Sequence, residues 1–227
     1  MAAKICATIG EATVPLLVKQ VGRAFELGAD YVEIRFDFLN PDAMQTAIDS
    51  VTHIKNKAIF TLRSKDQGGK FTGSEQERLG WLHKLLKQKP MLVDVELESI
   101  RKNDSLADLI DGQKTPILVS WHDFQETPAS DKIADLLSEM RIYSNYVKIV
   151  TTARSVQDSL RLLEVYENTI GLYPIIFAMG EAGVVSRLLC TIVGNAPFTY
   201  ASIENAVAPG QLTIIQMRKL YVKINPP

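Results

Sequence analysis

The chain reads as eight short, apolar and β-branched runs that alternate with longer stretches of helical periodicity. The predicted strands are Lys4–Ile9, Tyr31–Phe36, Lys57–Leu62, Met91–Glu96, Pro116–Trp121, Asn145–Val150, Pro174–Met179 and Pro197–Ala201. The predicted helices are Val14–Leu27, Ser74–Leu86, Leu106–Ile110, Ser130–Met140, Val156–Asn168, Ala182–Val193 and Leu212–Leu220. Because strictly alternating strands and helices pair in parallel through right-handed crossovers, eight such units predict an α/β fold, the (β/α)₈ TIM barrel.

The length fits one barrel domain covering residues 1–227, a little shorter than the ~250 residues typical of this fold. No linker or low-complexity tract divides the chain. The structural alternative is a doubly wound open sheet. That fold usually carries a Gly-rich phosphate loop after its first strand, and Ile9-Gly10-Glu11 is not such a loop.

Composition excludes several classes of protein. The 227 residues are 46% hydrophobic and 22% charged, with a net charge of −1 and no apolar run long enough to cross a bilayer. No basic tract indicates a nucleic-acid or membrane-surface binder. Cys6 and Cys190 lie far apart in apolar contexts, which predicts buried reduced thiols. Strand-like residues begin at Lys4, leaving no room for a signal peptide, so we expect a cytoplasmic protein.

Side chains in a barrel strand alternate between the interior and the helical layer, so polar residues can be assigned by parity. By this alternation, ionisable side chains from five consecutive strands point into the interior of the predicted barrel. Most of them lie near the carboxyl ends of the strands, where barrel enzymes have their active sites. The inward polar set is Glu33, Arg35, Thr61, Arg63, Asp94, Glu96, Ser120, His122 and Lys148. Charge concentrated at such a mouth is typical of function rather than of stability.

The chemistry centres on Lys148 in the sixth predicted strand. Burial and the nearby cations Arg35, Arg63 and Arg187 are expected to disfavour its charged form, leaving a free amine that condenses with a ketone or aldehyde. His122, on the adjacent strand, is expected to titrate near the working pH and to act as general acid and base.

Glu96, one strand further, is expected to orient the imidazole of His122. His53 and His83 fall in helical or loop segments and are weaker candidates for catalysis.

The arginines indicate an anionic substrate, because a guanidinium group binds a carboxylate in bidentate fashion. Arg187 follows a glycine-containing loop that enters the seventh predicted helix. An ordinary turn with a surface arginine fits this spacing equally well, and a phosphorylated substrate stays open, because barrel loops after strands seven and eight often bind phosphate. The loops Ser64–Gly73 and Ser202–Gln211 have a composition suited to covering a ligand.

Several motifs occur together in a fixed order along the chain. They are Glu33-Ile34-Arg35, Thr61-Leu62-Arg63-Ser64, Asp94-Val95-Glu96, Ser120-Trp121-His122-Asp123-Phe124, Val147-Lys148-Ile149, Met179-Gly180, Ser186-Arg187 and Ala208-Pro209-Gly210-Gln211. This combination closely resembles the type I 3-dehydroquinate dehydratases of the shikimate pathway, and the resemblance spans essentially the whole chain.

The resemblance implies a mechanism. Lys148 would form a Schiff base with the ketone of 3-dehydroquinate, and His122 would remove the proton at carbon 2. His122 would then help to expel the carbon 1 hydroxyl as water, giving 3-dehydroshikimate by syn elimination, with Glu96 positioning His122.

The resemblance also implies substrate contacts and an assembly. The residues that would hold the hydroxyl side of the substrate are Glu33, Arg35 and Arg63, and those that would bind its carboxylate are Arg187 and Gln211. Thr8 stands where the family often has a serine near the substrate. Such enzymes need no metal or organic cofactor and are commonly homodimers.

One departure from the family is Val207, at a position where a serine or threonine often contacts the carboxylate. Two other functions stay open at this point. An aldolase on the same barrel would also use an inward lysine in strand six, although His122, Glu96 and the arginines argue against it. A barrel that binds a metabolite without turning it over is the second alternative.

Overall fold

The computed structural model describes residues 3–112, 114–204 and 210–224. Its strands are β1 (Ile5–Ile9), β2 (Tyr31–Arg35), β3 (Ala58–Thr61), β4 (Leu92–Glu96), β5 (Ile117–His122), β6 (Tyr146–Thr152), β7 (Tyr173–Met179) and β8 (Thr199–Ala201). Its helices are α1 (Val14–Glu26), α2 (Met44–Val51), α3 (Glu75–Lys87), α4 (Leu97–Arg101), α5 (Asp104–Asp111), α6 (Ser130–Met140), α7 (Val156–Glu164), α8 (Val184–Leu189) and α9 (Ile214–Ile224).

The eight strands form one parallel sheet in the order β7-β6-β5-β4-β3-β2-β1-β8. The last strand pairs with the first, with Cys6 opposite Tyr200, so the sheet curls into a nearly closed barrel. The predicted (β/α)₈ barrel is thereby confirmed. The doubly wound alternative is wrong, because an open sheet keeps its two edges apart.

Local signals in the sequence explain individual helices. Helix α1 has a proline in its first turn and buries the stripe Leu17, Val21 and Ala24. Helix α3 begins with a capping box in which the Ser74 amide donates to Glu77 Oε2 at 2.7 Å and the Glu77 amide donates to Ser74 Oγ at 3.2 Å. The cap fixes the direction in which α3 leaves the loop after β3.

Two helices in the described residues, α2 and α4, are not predicted from the sequence. Helix α2 buries Met44, Ala47, Ile48 and Val51, which have helical spacing over only eight residues. Helix α4 is a five-residue turn directly after β4. The predicted helix Val156–Asn168 ends as an α-helix at Glu164 and continues as a 3₁₀ turn.

Two hydrophobic layers lie on opposite faces of the sheet, as parity predicts. Outward side chains such as Val95, Val119 and Ile149 pack under the helices. The inner cluster consists of Cys6, Ile59, Leu92, Leu118, Val150, Ile175, Phe177, Phe198 and Tyr200. Cys6 and Cys190 are both buried free thiols. None of the helices in the described ranges has the length and apolar character that crossing a bilayer requires.

Candidate active site

A cavity of about 170 Å³ opens at the carboxyl ends of the strands. It is lined by Thr8, Glu33, Arg35, Arg63, Gln67, Gly68, His122, Phe124, Lys148, Val150, Phe177, Met179, Arg187, Tyr200 and Gln211. All the site residues predicted from the sequence lie in this lining except Glu96. Among the described residues, no group of three or more His, Cys, Asp or Glu side chains is arranged to hold a metal ion.

Lys148 lies in the middle of β6 with a buried side chain. Its Nζ forms ion pairs with Asp94 Oδ2 at 2.5 Å and with Glu33 Oε1 at 3.4 Å. The sequence analysis considered only the nearby cations, whereas two carboxylates contact the amine directly. The same carboxylates can pair with a positively charged imine formed on this nitrogen.

Asp94 connects two of the buried cations of the site, Lys148 and Arg63. Parity predicts an inward direction for Asp94 but assigns it no role. Its Oδ1 forms an ion pair with Arg63 Nη2 at 2.9 Å and accepts a hydrogen bond from Ser120 Oγ at 2.7 Å. Burial by itself raises the pKa of Asp94, but the charges of Arg63 and Lys148 outweigh burial and hold the pKa well below its ordinary value. Asp94 is therefore a fixed negative charge between Lys148 and Arg63.

His122 ends β5, and its ring stacks on Phe124 with a centroid distance of 5.8 Å and an interplanar angle of 8°. Its buried Nδ1 has no partner among the residues that the structure describes. Burial, followed by the charges of Arg63 and Lys148, lowers the pKa of His122 well below 6.5. The imidazole is thus neutral at pH 7, which corrects the expectation that it titrates near the working pH.

Glu96 does not bind His122 in the described part of the chain. Its Oε1 accepts from the Ser64 amide at 2.7 Å, and its Oε2 accepts from Arg78 Nη1 at 3.1 Å and Ser99 Oγ at 3.2 Å. The strand register explains this, because Glu96 lies opposite Ser120, two residues before His122. The predicted orienting hydrogen bond is absent, and Glu96 instead anchors the loop that follows Arg63.

Arg78 of α3 completes this anchor, and we name the group Glu75, Arg78, Glu96 and Ser99 the brace. Arg78 is 1% exposed, and its guanidinium also donates to the Leu62 carbonyl at 3.2 Å, to Ser99 Oγ and to both oxygens of Glu75. Burial lowers the pKa of Arg78, but hydrogen bonding and charge from Glu75 and Glu96 outweigh burial and raise it. The brace fixes the end of β3.

Arg35 is held at the cavity wall by Asp37, a residue that the sequence did not single out. Two guanidinium nitrogens of Arg35 donate to the two oxygens of Asp37, each at 2.8 Å. Asp37 also accepts from the backbone amides of Lys70 at 3.0 Å and Arg63 at 3.4 Å. One buried carboxylate therefore orients Arg35 and fixes both ends of the loop beside the cavity.

This loop needs its glycines. A Cβ atom on Gly69 would lie 2.1 Å from the Arg63 carbonyl oxygen, so the backbone could not pass so closely with any other residue. Gly68 has a φ of 76° and faces the ring of Phe124. The second loop with a covering composition, Ser202–Gln211, contains Val207, which lies outside the described residues.

Arg187 is 2% exposed, and among the described residues it forms no ion pair with a carboxylate. Its guanidinium carbon lies 4.3 Å from the ring centroid of Phe177, and Nε has no protein partner. Burial lowers the pKa of Arg187 to about 10. A buried cation without a counter-charge is costly, so this position is suited to an anion from outside the protein.

Four buried side-chain polar atoms in the described ranges lack a protein partner. They are Gln67 Oε1, His122 Nδ1, Arg187 Nε and Tyr200 Oη. All four residues line the same cavity. Because folded proteins pair nearly all buried polar groups, this concentration indicates a surface that a polar ligand completes. Parity could have identified Tyr200 as an inward residue, whereas Gln67 lies in a loop without a periodic signal.

Comparison with known proteins identifies the family. The chain matches the family described as Type I 3-dehydroquinase over residues 5–225. A 3-dehydroquinate dehydratase from Dehalococcoides mccartyi is 35% identical over 202 residues, 87% of each chain, and one from Methanothermobacter thermautotrophicus is 31% identical over 229 residues, 100% of this chain and 99% of the relative. The crystal structure of the 3-dehydroquinate dehydratase from Aquifex aeolicus VF5 superimposes with a TM-score of 0.81 at 28% identity and covers 99% of this chain and 100% of that chain. The chain belongs to the type I 3-dehydroquinase family.

Proposed function

We infer that this chain is a hydro-lyase that dehydrates 3-dehydroquinate to 3-dehydroshikimate through a Schiff base. The observation that carries the inference is a buried lysine amine in a polar cavity that also presents a neutral imidazole and an uncompensated guanidinium group. Membership of the family favours this activity over an aldolase or a non-catalytic binding barrel, and neither alternative has separate support.

Lys148 is proposed as the group that attacks the ketone. The ammonium group and the ketone together give a protonated imine and one water, so no other reactant is needed. Asp94 and Glu33, which pair with the ammonium group, are placed to pair with the imine as well. The imine withdraws electrons and makes the neighbouring C–H bond acidic.

His122 is proposed as the base and then the acid. The lowered pKa keeps its imidazole neutral, so it can accept the proton from carbon 2 without first losing one. It then returns that proton to the carbon 1 hydroxyl, which leaves as water while the carbon–carbon double bond forms. Hydrolysis of the imine releases the product.

The charge balance around each arginine supports a division of the substrate contacts. Arg63 is neutralised by Asp94, and Arg35 by Asp37, so both are suited to binding hydroxyl groups, together with Glu33 and Thr8. Arg187 forms no ion pair with a described carboxylate, so it is proposed to bind the substrate carboxylate with Gln211. Glu96 is proposed as a positioning residue that acts through Ser64 and Arg63 rather than through His122.

The activity is tested by adding 3-dehydroquinate and following the absorbance of the conjugated enone product. The wild-type chain is expected to produce the enone, and Lys148→Ala is expected to show no turnover. Lys132→Ala, which removes an exposed lysine from α6, is the matched control and is expected to behave as wild type. A Lys148→Ala variant with wild-type turnover would remove the proposed Schiff base.

We also propose that the chain is a cytoplasmic homodimer built from one domain of residues 1–227. Val156 and Leu160 lie four residues apart on α7 and are 48% and 46% exposed, which supports an apolar contact between copies. Sedimentation is expected to give about twice the chain mass of 25.2 kDa. A monomeric mass would refute the dimer. Two separate unfolding transitions would refute the single domain. Cell fractionation tests the cytoplasmic location.

A further inference from the structure

Tyr200 lies on β8 and points into the barrel, where it is 4% exposed. Its ring packs against Phe198 and Phe177, with centroid distances of 5.7 and 6.0 Å. Lys148 Nζ lies 5.0 Å from the centre of the same ring. Among the described residues, the Tyr200 hydroxyl has no protein partner, although Tyr200 lines the cavity.

A second buried tyrosine, Tyr166, serves as the comparison, because its hydroxyl is hydrogen-bonded to the backbone. Tyr166 Oη accepts a hydrogen bond from the Ile176 amide at 2.7 Å and donates to the Ile176 carbonyl at 3.0 Å. Tyr200 makes no such bond, and a phenylalanine would fit its aromatic surroundings without burying an unpaired hydroxyl. Packing therefore explains the ring of Tyr200 but not its oxygen.

The groups next to the amine leave one requirement of the reaction unmet. When an amine attacks a ketone, negative charge develops on the ketone oxygen, and a hydrogen-bond donor there stabilises it. Asp94 and Glu33, which contact Lys148, are acceptors, and the Arg63 guanidinium is engaged by Asp94 and Ser120. Burial keeps the pKa of Tyr200 well above its ordinary value, so its hydroxyl stays protonated and can donate.

We propose that Tyr200 Oη donates a hydrogen bond to the oxygen of the ketone that Lys148 attacks. The C–N bond forms as the C–O π bond breaks, the oxygen gains protons that the ammonium group loses and leaves as water, and the imine remains. Tyr200 stabilises the oxygen and keeps its own proton overall. This inference rests on the proposed function, because it concerns the first step of that reaction.

The test compares Tyr200→Phe with Tyr166→Phe and with the wild type. 3-Dehydroquinate is mixed with enzyme that is in molar excess over it, and the mixture is quenched with borohydride at timed intervals. The amount of reduced adduct at each time gives the rate of imine formation directly. Loss of one such donor costs ~10²–10³-fold in rate, and Tyr200→Phe is expected to slow imine formation by that factor. Its melting temperature is expected to stay at the wild-type value or rise, because no protein hydrogen bond is lost.

Tyr166→Phe is expected to show the opposite pattern, with a lower melting temperature and a wild-type rate of imine formation. A Tyr200→Phe variant that forms the imine at the wild-type rate, or that raises KM alone, overturns the inference and leaves the proposed function standing. A wild-type chain that gives neither enone nor adduct refutes the proposed function itself. If Tyr200→Phe does not fold, Tyr200→Met, which also lacks the donor, is measured against the same expectations.

Discussion

Two buried arginines, Arg78 and Arg187, are 1% and 2% exposed, yet their surroundings are opposite. Arg78 donates to Glu75, Glu96, Ser99 and a backbone carbonyl, and those charges raise its pKa. Arg187 faces an aromatic ring, and burial lowers its pKa to about 10. Burial alone therefore does not distinguish a structural arginine from a ligand-binding one. The presence or absence of hydrogen-bonding and charged partners within the described chain does.

The same contrast extends to the groups around each arginine. The brace is closed, because the polar atoms of Arg78, Glu96 and Ser99 find partners inside the protein. The cavity is open, because the four unpartnered buried atoms of the described chain all belong to residues that line it. We therefore expect substitutions in the brace to reduce stability and substitutions in the cavity to reduce activity.

The largest effect is expected from His122→Ala on the open side. Loss of a general acid and base typically costs ~10²–10⁴-fold in rate, and turnover is expected to fall by that factor. Imine formation is expected to persist, because Lys148 and its carboxylates remain. Steady-state assays together with borohydride trapping measure both effects, and an unimpaired turnover would remove His122 from the mechanism.

The variant Arg78→Met tests the brace. Removing one partner of a buried ion pair typically costs ~3–5 kcal/mol, because the remaining charge stays buried without that partner. Here Glu96 would lose its closer cation and keep only Arg63, whose Nη1 lies 3.8 Å from Glu96 Oε1. Urea denaturation is expected to show a loss of this size in the free energy of unfolding. The double variant Arg78→Met with Glu96→Gln is expected to recover part of it, and an Arg78→Met chain of wild-type stability would contradict the structural role of the brace.

Arg187→Met is the matched variant in the cavity. Because no carboxylate in the described part of the chain pairs with Arg187, its removal leaves none unpaired there, and the free energy of unfolding is expected to stay near the wild-type value or increase. Hydrogen bonds to charged groups contribute ~1.5–3 kcal/mol, so kcat/KM is expected to fall roughly 10- to 150-fold. A loss of stability as large as that of Arg78→Met would show that the two arginines do not differ in role.

The smallest effect is a pH dependence that belongs to the cavity. The pKa of His122 in the folded chain lies below the ordinary value of 6.5, so the unfolded chain binds more protons as the pH falls below 6.5. His122 therefore contributes a loss of stability on acidification, beginning below pH 6.5 and complete below its folded pKa. In His122→Ala this part of the loss is expected to disappear, as urea denaturation at several pH values would show.

The sequence was sufficient for the barrel, because each strand and most helices carry their own periodicity. Parity identifies the inward residues, so the sequence alone predicts that Lys148, His122 and Arg63 share one cavity. Helix α2 was not predicted, although its buried residues Met44, Ala47, Ile48 and Val51 have helical spacing.

The ion pairs could not be predicted in the same way. The assignment of Glu96 to His122 failed because the register and the reach of Arg78 from α3 decide which group the carboxylate meets. Asp94 and Tyr200 point inward by parity, but only three-dimensional distances show that both lie next to Lys148. The local sequence pattern predicts which way a side chain points, whereas its ion-pair partners depend on the assembled barrel.

The proposed function depends most on the covalent imine between Lys148 and the substrate. The most direct measurement is reduction of the enzyme with borohydride during turnover of 3-dehydroquinate, followed by mass spectrometry of the intact chain and its peptides. We predict a single added mass that maps to Lys148, and no added mass in the absence of substrate. An active enzyme that carries the mass on another residue, or that gains no mass at all, would contradict this account.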